Sequence, residues 1–465
     1  MKHRMIGRCA FAAAVLLSSV AHGAPWQSTY LPPASTPTLI RGATVLDGNG
    51  GRLENTDLLL RDGKVAAIGQ GLDAGDAQVI DAGGRWITPG LIDVHSHLGV
   101  YASPGLEAHS DGNEMVEPTT AGVWAEHAVW PQDPGFAAAL AGGVTTLQVL
   151  PGSGNLIGGR SVTLRNVVAT TYQAMKFPAA PNGLKMACGE NPKRFYGAQG
   201  KAPMTRMGNV AGYRQAFADA QAYQRAWQNF EREQAAFENK PKRDMGATPP
   251  AEPERKLDME TLVGAMRGDI LVHIHCYRAD EMAIMLDLAK EFGFRIAAFH
   301  HGVEAYKLAD RLASEGVCGA LWADWWGFKM EAYDAIWENI AFVDHPAKGC
   351  AIVHSDSEEG IQRLNQEAAK AMARGNQAGL SIAPERAIRW ITSNAARSLG
   401  VADEVGSLTV GKRADVVIWN RDPFSVYARA DQVYLDGARV FDRAAAAAPP
   451  ASDFMLGQPA TEVSP

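Results

Sequence analysis

Two histidines one residue apart end an apolar stretch early in the chain, and they are the first residues that could do chemistry. His95 and His97 follow the apolar run 91–94. Alternate side chains of a strand point to the same face, so both imidazoles would project from the same end of one strand. Two imidazoles held in this way can bind one metal ion. A single His-x-His pair is a weak indication, because most strand histidines are ordinary polar residues.

Further histidines and one aspartate end or follow other apolar runs of the same kind. His273 and His275 close the run 270–275, His300 and His301 follow the run 295–299, and His354 and Asp356 follow the run 351–353. Parallel strands of a barrel end at one face, so side chains at successive strand ends converge on a shared axis. The recurrence therefore predicts a metal centre.

A bridging ligand would come from the segment that follows the run 184–188. Glu190 could bridge two divalent ions through its two carboxylate oxygens. Lys185 is the alternative, because a lysine that carries CO2 presents the same two oxygens. On a regular strand Lys185 and Glu190 would face opposite sides, and Glu190 lies where the strand should end. We therefore expect Glu190 to be the bridge.

The elements that must position these residues alternate between strands and helices. Candidate strands span residues 91–94, 144–150, 184–188, 270–275, 295–299, 319–322 and 351–354, and candidate helices include 280–292, 305–315, 360–374 and 384–399. This alternation over residues 91–400 predicts an α/β fold whose parallel strands close into a (β/α)8 TIM-type barrel. Residues 208–256 are charged and strongly helical, and we expect a helical insertion beside the barrel.

The two ends of the chain have a different character, with short β runs separated by glycines. Residues 38–90 and 401–443 share this pattern, and each contains an Asp-Gly hairpin signal. The simplest interpretation is one small β-sandwich built from both ends, with the barrel inserted between them. Two separate β modules are the alternative. Residues 25–37 are expected to form a linker, and residues 444–465 a disordered tail.

Composition and the first residues indicate a globular, exported protein. Of the 465 residues, 46% are hydrophobic and 20% charged, and the net charge of -7 argues against a nucleic-acid partner. Basic residues precede the apolar run 9–20, which small residues follow, so residues 1–24 resemble a signal peptide. We expect a periplasmic or secreted protein with no stable membrane insertion after cleavage; an uncleaved anchor is the alternative. Four cysteines remain, without a predicted pairing, and a homo-oligomer stays open.

Together these residues resemble the amidohydrolase superfamily, specifically its imidazolonepropionase-like and prolidase-like branch, from about residue 38 to residue 443. The resemblance is carried by residues 88–97, 190–194, 275–280, 301–306, 354–356, 393–396, 406–408 and 411–417. It implies a barrel with one or two divalent ions, expected to be zinc. The ligands that it implies are His95, His97, Glu190, His275, His301 and Asp356. Asp356 is also implied as the proton shuttle.

The resemblance further implies an exported, metal-dependent amidohydrolase. It would cleave a carbon–nitrogen bond in an amide, cyclic amide or dipeptide-like small molecule by attack of metal-bound hydroxide. Deamination of an amino-heterocycle at the same site is the alternative. A catalytically inactive metal-binding or scaffold protein is a weaker one, because Asp356 is present.

Four residues are candidates for contact with the substrate. Tyr277, Arg278 and Arg160 could hold a substrate carboxylate, although Arg278 could equally cap its helix. His273 shares a strand face with His275 and could contact the substrate. Alternatively, His273 and His300 support the metal ligands through hydrogen bonds. The branch often has a histidine where Tyr277 stands and a lysine bridge where we expect Glu190.

Overall fold

A computed structural model describes residues 26–239 and 248–445. The expected signal peptide, most of the expected tail and part of the helical insertion lie outside this range. In the part of the chain that the structure covers, no helix is both long and apolar enough to cross a bilayer.

The described residues form sixteen strands and eleven α-helices. In chain order the strands are β1 (Thr38–Leu46), β2 (Arg52–Arg61), β3 (Lys64–Gly69), β4 (Gln78–Asp81), β5 (Trp86–Pro89), β6 (Leu91–Ser96), β7 (Val144–Val149), β8 (Ile157–Arg165), β9 (Gly183–Ala187), β10 (Leu271–His275), β11 (Ile296–His300), β12 (Cys318–Leu321), β13 (Ala351–Val353), β14 (Val416–Trp419), β15 (Ala430–Leu435) and β16 (Ala438–Asp442). The helices are α1 (Pro134–Ala141), α2 (Tyr172–Met175), α3 (Glu190–Gly197), α4 (Arg206–Glu238), α5 (Leu257–Arg267), α6 (Ala279–Phe292), α7 (Ala309–Glu315), α8 (Asn339–Asp344), α9 (Leu364–Gln377), α10 (Pro384–Ala387) and α11 (Ser393–Ser398).

Both ends of the chain contribute to one sheet, in the order β16-β15-β14-β5-β1-β2-β3, with β4 paired to β1. Strand β5 connects the two ends, because it pairs in parallel with β1 and antiparallel with β14. The Asp-Gly hairpins are present at Asp62 and Asp436, whose φ values of 53° and 48° lie in the left-handed region that such tight turns require. The prediction of one β unit from both chain ends is confirmed.

The central part of the chain forms an eight-stranded barrel sheet in the order β6 to β13. The predicted barrel is confirmed, with one correction. Strand β8 was not predicted, and it runs antiparallel to β7 and β9. The loop between β7 and β8 is too short for the helical crossover that a parallel strand would need. Which side chains of β8 point into the barrel therefore depends on its register with the antiparallel neighbours β7 and β9.

The first and last barrel strands meet through hydrogen bonds at their carboxyl ends. The Asp356 N–H donates to the carbonyl oxygen of His95 at 2.9 Å. The Asp93 carboxylate accepts from the backbone N–H groups of His95 and Ser355, at 3.1 and 3.2 Å, and from the Ser355 hydroxyl. Asp93 therefore connects the two strand ends at the face of the barrel where the histidines lie.

Two disulfides connect neighbouring barrel strands at opposite faces. Cys188 and Cys276, which follow β9 and β10, form one of them. Cys318, which begins β12, pairs with Cys350, which precedes β13. The sequence did not predict these pairings, because they depend on which strands become neighbours.

Helix α4 is the main element of the insertion and packs against the outside of the barrel. It has 33 residues, which corresponds to a length of about 50 Å. Tyr213, Phe217 and Trp227 are buried on one face, and Phe217 stacks on Phe294 with ring centroids 4.6 Å apart. Its first residue, Arg206, forms ion pairs with Glu281 and Glu331.

Candidate metal centre

Three side chains from the two joined strand ends converge to form the first part of the site. His97 Nε2 lies 3.1 Å from Asp356 Oδ1, and His95 Nε2 lies 3.4 Å from the same oxygen. The two Nε2 atoms are 3.3 Å apart. His301 Nε2 lies 3.6 Å from the other Asp356 oxygen. Ligand atoms this close together could contact one divalent ion.

Hydrogen bonds orient the two β6 histidines. His97 Nδ1 lies 2.9 Å from the carbonyl oxygen of Leu150. A carbonyl only accepts, so Nδ1 must carry the proton and the Nε2 lone pair faces Asp356. His95 Nδ1 pairs with His300 Nδ1 at 2.9 Å, and His300 Nε2 pairs with His273 Nδ1 at 3.0 Å. His300 therefore supports a ligand from behind.

Several buried ring nitrogens around this centre have no hydrogen-bond partner among the described residues. They are Nδ1 of His275, Nδ1 of His301, both ring nitrogens of His354 and Nε2 of His273. An unpaired buried nitrogen is costly, so a cluster of them at strand ends indicates a missing ligand. The His95, His301 and His354 nitrogens form a second group within ligand distance of one another. The residues present fit a divalent metal.

Two of these side chains are held by strained backbone. His301 has φ 68° and Asp356 has φ 50°, both in the left-handed region that non-glycine residues rarely adopt. Such conformations persist only where surrounding contacts impose them, and they are frequent at functional sites. The contacts of Asp93 with His95 and Ser355 hold the turn in which Asp356 lies. Sequence reasoning did not assign Asp93, although a buried carboxylate in an apolar strand beside two histidines was a usable signal.

Lys185, and not Glu190, lies among the histidines. On β9 the neighbours Leu184 and Met186 pack in the outer core, so Lys185 points into the barrel. Its ammonium group donates to the carbonyl oxygen of Pro151 at 2.9 Å. Burial lowers the pKa values of the surrounding histidines, and the charge of Lys185 lowers them further; these histidines are His95, His273, His275, His300 and His301.

Glu190 begins α3 and is directed differently. Its backbone N–H donates to the Glu331 carboxylate, and its own carboxylate lies 3.9 Å from Arg194 one turn further on. Like His275, it is not one of the residues in the two ligand groups. The Glu190 bridge stays a prediction, and the position of Lys185 among the histidines favours the alternative. Gly189, with φ 81°, ends the strand early and turns Glu190 onto a helix.

Comparisons with known proteins agree with this site and fold. The chain is 31% identical to a solved amidohydrolase from Thermotoga maritima MSB8, with a TM-score of 0.77 over 87% of this chain and 100% of the other. The chain belongs to the amidohydrolase family. The family's sequence profile, described as Amidohydrolase family, matches residues 340–444.

Two curated relatives extend the comparison by sequence. The amidohydrolase tasK of Hapsidospora irregularis is 31% identical over 444 residues, which are 89% of this chain and 44% of the relative. A dihydroorotase of Pelotomaculum thermopropionicum is 44% identical over 70 residues, 15% of this chain and 16% of the relative. This amidohydrolase therefore spans less than half the length of each of these curated relatives.

The electrostatics of the amidohydrolase site favour neutral imidazoles. Burial lowers the pKa values of His273 and His354 to about 3, and burial lowers that of Lys185 to about 8. Burial alone would raise the pKa of Asp356, but the contact with His97 and the positive charge of Lys185 lower it below its ordinary value. Neutral imidazoles and an ionised carboxylate are the forms that bind metals.

The four substrate-contact candidates have different surroundings. Tyr277 is buried beside the centre, with its ring 4.8 Å from that of His275. His273 is fully buried and bonded to His300, which supports the hydrogen-bonding alternative. Arg278 forms a bidentate ion pair with Asp280 on the outside of α6, so its guanidinium is already paired at the start of this helix.

Arg160 is not brought to the metal centre. The β8–β9 register places Arg160 opposite Leu184, whereas Lys185 lies opposite Gly159. Residues opposite each other share a sheet face, so Arg160 faces outward with Leu184. Its Nε donates to Thr261 of α5 at 2.8 Å, and its guanidinium lies 4.0 Å from the centroid of the Trp124 ring. The register of β8 against β9 decides this placement, and β8 was not predicted as a strand.

Proposed function

We propose that this amidohydrolase is an exported, metal-dependent hydrolase that cleaves a carbon–nitrogen bond of an amide, cyclic amide or dipeptide-like small molecule. The proposal is carried by the convergence of His95, His97, His301 and Asp356, surrounded by buried ring nitrogens that lack partners. Membership of the family supports the bond type.

The proposed ligands are His95, His97, His275, His301 and Asp356, with Lys185 carrying CO2 as the bridge in place of Glu190. Imidazole nitrogens with carboxylate oxygens are a donor set that suits zinc. A bound divalent ion lowers the pKa of a water molecule and polarises a carbonyl oxygen. Lys185 fits the bridging role because it is the buried side chain of β9 that points into the histidine cluster.

Asp356 is positioned to move protons during the reaction. Its two oxygens face His97 on one side and His301 on the other, and the side chain is partly exposed, so a water molecule can reach it. We propose that Asp356 accepts a proton from the attacking water and donates it to the leaving nitrogen. The products are then a carboxylate and an amine.

Export is proposed from the first residues together with the cysteines. All four cysteines of the described chain are paired in disulfides. Disulfides persist in the periplasm and outside the cell, and they are rare in the cytosol. This pairing supports the signal-peptide interpretation of residues 1–24.

The metal assignment is tested by elemental analysis of the purified protein and of two variants, Lys185→Met and Glu190→Gln. We expect about two equivalents of zinc in the native protein and in Glu190→Gln, and about one or fewer in Lys185→Met. Loss of metal from Glu190→Gln alone would instead identify Glu190 as the bridge. A native protein without any bound metal would contradict the proposal.

The reaction is tested by product analysis with dipeptides, N-acyl amino acids and cyclic amides. Release of an amine together with a new carboxylate is expected. Release of ammonia from amino-heterocycles alone would instead identify a deaminase.

A further inference from the structure

The loop that follows β12 forms one wall of the metal centre and is rich in aromatic residues. Trp322 stacks on His301 with ring centroids 4.1 Å apart, and its indole N–H donates to the carbonyl oxygen of Ser355. Phe328 meets Trp322 edge to face at 5.9 Å and is exposed. Tyr277 lies 6.1 Å from Trp322. The wall is therefore apolar, and it is continuous with the metal ligands.

One cation, Lys329, projects into this wall. Its Nζ lies 4.2 Å from the centroid of the Tyr277 ring and 3.0 Å from Asn191 Oδ1. The amide nitrogen of Asn191 in turn lies 3.4 Å from His275 Nε2. Lys329 is thus separated from a proposed metal ligand by a single carboxamide group.

The loop is fixed so that Lys329 keeps this position. The neighbouring Glu331 carboxylate accepts from the Glu190 N–H at 3.0 Å and from Arg206 Nη2 at 2.6 Å. Arg206 is the first residue of α4, so the inserted helix supports the loop from outside. Lys329 therefore lies in a loop that is held by contacts with the first residues of α3 and α4.

The charge of Lys329 is not neutralised by a close partner. Within residues 26–239 and 248–445, no carboxylate lies within the 4.0 Å of an ion pair with its Nζ, although Glu190, Glu331 and Asp356 act on it from further away. Arg194 adds a second positive charge nearby. Lys329 is half-buried against aromatic rings, where an ammonium group without a close negative charge is costly. An anion at this point would satisfy it.

We infer that Lys329 binds a carboxylate of the substrate beside the scissile bond, so that the substrates are amides of amino acids with a free carboxylate and an apolar side chain. This inference rests on the proposed function. Lys329 takes the role that Arg278 and Arg160 were expected to fill, because it faces the metal centre and they do not. The rings of Tyr277, Trp322 and Phe328 would contact the apolar side chain.

The test compares N-acetyl-L-phenylalanine with its neutral C-terminal amide, since the two differ only at the carboxylate. The ratio of their kcat/KM values is measured for the native protein, Lys329→Met, Lys329→Arg and the exposed control Lys348→Met. We expect Lys329→Met to lower the acid-to-amide ratio about ten- to a hundredfold, mainly through KM for the acid. Lys329→Arg should retain much of the ratio, and Lys348→Met should match the native protein.

A binding measurement separates this inference from the reaction itself. Calorimetric titration of both compounds into Asp356→Asn, and into that variant combined with Lys329→Met, reports carboxylate binding without turnover. Weaker binding of the acid alone in the double variant supports Lys329, even if the native protein cleaves neither compound and the proposed function fails. An unchanged acid-to-amide ratio in both kinetics and binding would overturn the inference while leaving hydrolysis intact.

Discussion

The barrel contains two buried polar clusters that resemble each other in burial and differ in how their atoms are paired. The histidine cluster comprises His95, His97, His275, His301 and Asp356 at the carboxyl ends of the strands. The arginine cluster comprises Arg165, Asp415, Asp436, Arg413 and Tyr30, at the opposite end of the barrel where it meets the terminal sheet.

The arginine cluster is almost completely paired. Arg165 forms two 2.6 Å hydrogen bonds to Asp415 and lies 3.3 Å from Asp436, which also pairs with Arg413 at 3.0 Å and accepts from the Tyr30 hydroxyl. Of its buried side-chain atoms, within the described residues, only Arg165 Nε lacks a partner. In the histidine cluster, by contrast, several ring nitrogens are unpaired.

The difference shows how one fold separates stability from chemistry. A charge cluster whose partners are almost all supplied by the chain connects segments that are distant in sequence, here the segment that contains Tyr30, strand β8 and the terminal sheet. A buried cluster in which several polar atoms lack a partner is suited to bind a ligand that supplies the missing contacts. In barrels of this kind, residues at the carboxyl face do chemistry and residues at the other face support stability.

The largest loss of activity at nearly unchanged stability is expected at Asp356. Replacing Asp356 with Asn should lower kcat about 10²- to 10⁴-fold, because an amide cannot transfer the proton. The free energy of unfolding of the metal-free protein should change by less than about 1 kcal/mol, since the amide has the same shape. Steady-state kinetics and urea unfolding measure the two effects. The exposed Asp403→Asn is the matched control, and equal activity of both variants would refute the catalytic role.

The opposite pattern is expected at Arg165. Arg165→Met leaves Asp415 and Asp436 buried without their main partner, and it should lower the free energy of unfolding by about 3–5 kcal/mol. The metal content and kcat of the folded fraction should stay near native values, because the change lies at the other face of the barrel. Chemical unfolding and elemental analysis provide the measurements. A loss of bound metal at unchanged stability would contradict this separation.

A smaller effect is expected at Asp93, which connects β6 to the turn before Asp356. Asp93→Asn keeps the shape but weakens the hydrogen bonds to His95 and Ser355, so metal affinity should fall about ten- to a hundredfold. Competition with a chelator measures the affinity. Addition of excess zinc should restore kcat, since Asp93 orients ligands and does not contact the reacting atoms. Activity that excess zinc fails to restore would assign Asp93 a different role.

Much of the fold followed from local patterns. The alternation of apolar runs and helices predicted the barrel, and the Asp-Gly turns predicted hairpins that join strands of the terminal sheet. Strand β8 was missed because its identity depends on pairing with β7 and β9, and its sequence contains two glycines that weaken a strand signal. The register of β8 against β9 then placed Arg160 on the outer face of the barrel.

The candidate site was predictable where it depended on strand periodicity alone. The histidines gather because alternate residues share a face and parallel strands end together. Periodicity alone did not decide between Glu190 and Lys185, because at Gly189 the backbone leaves the strand and begins a helix.

The sequence by itself determined which side chains could ligate a metal and which ends of the chain form sheets, because both depend on short-range periodicity. Only the tertiary structure decided that Lys185 enters the histidine cluster, which cysteines pair, and that Lys329 faces the centre. These outcomes depend on which strands and loops become neighbours. Packing between segments far apart in the chain decides which of them become neighbours. The ion pair between Arg206 and Glu331 is one contact of this kind.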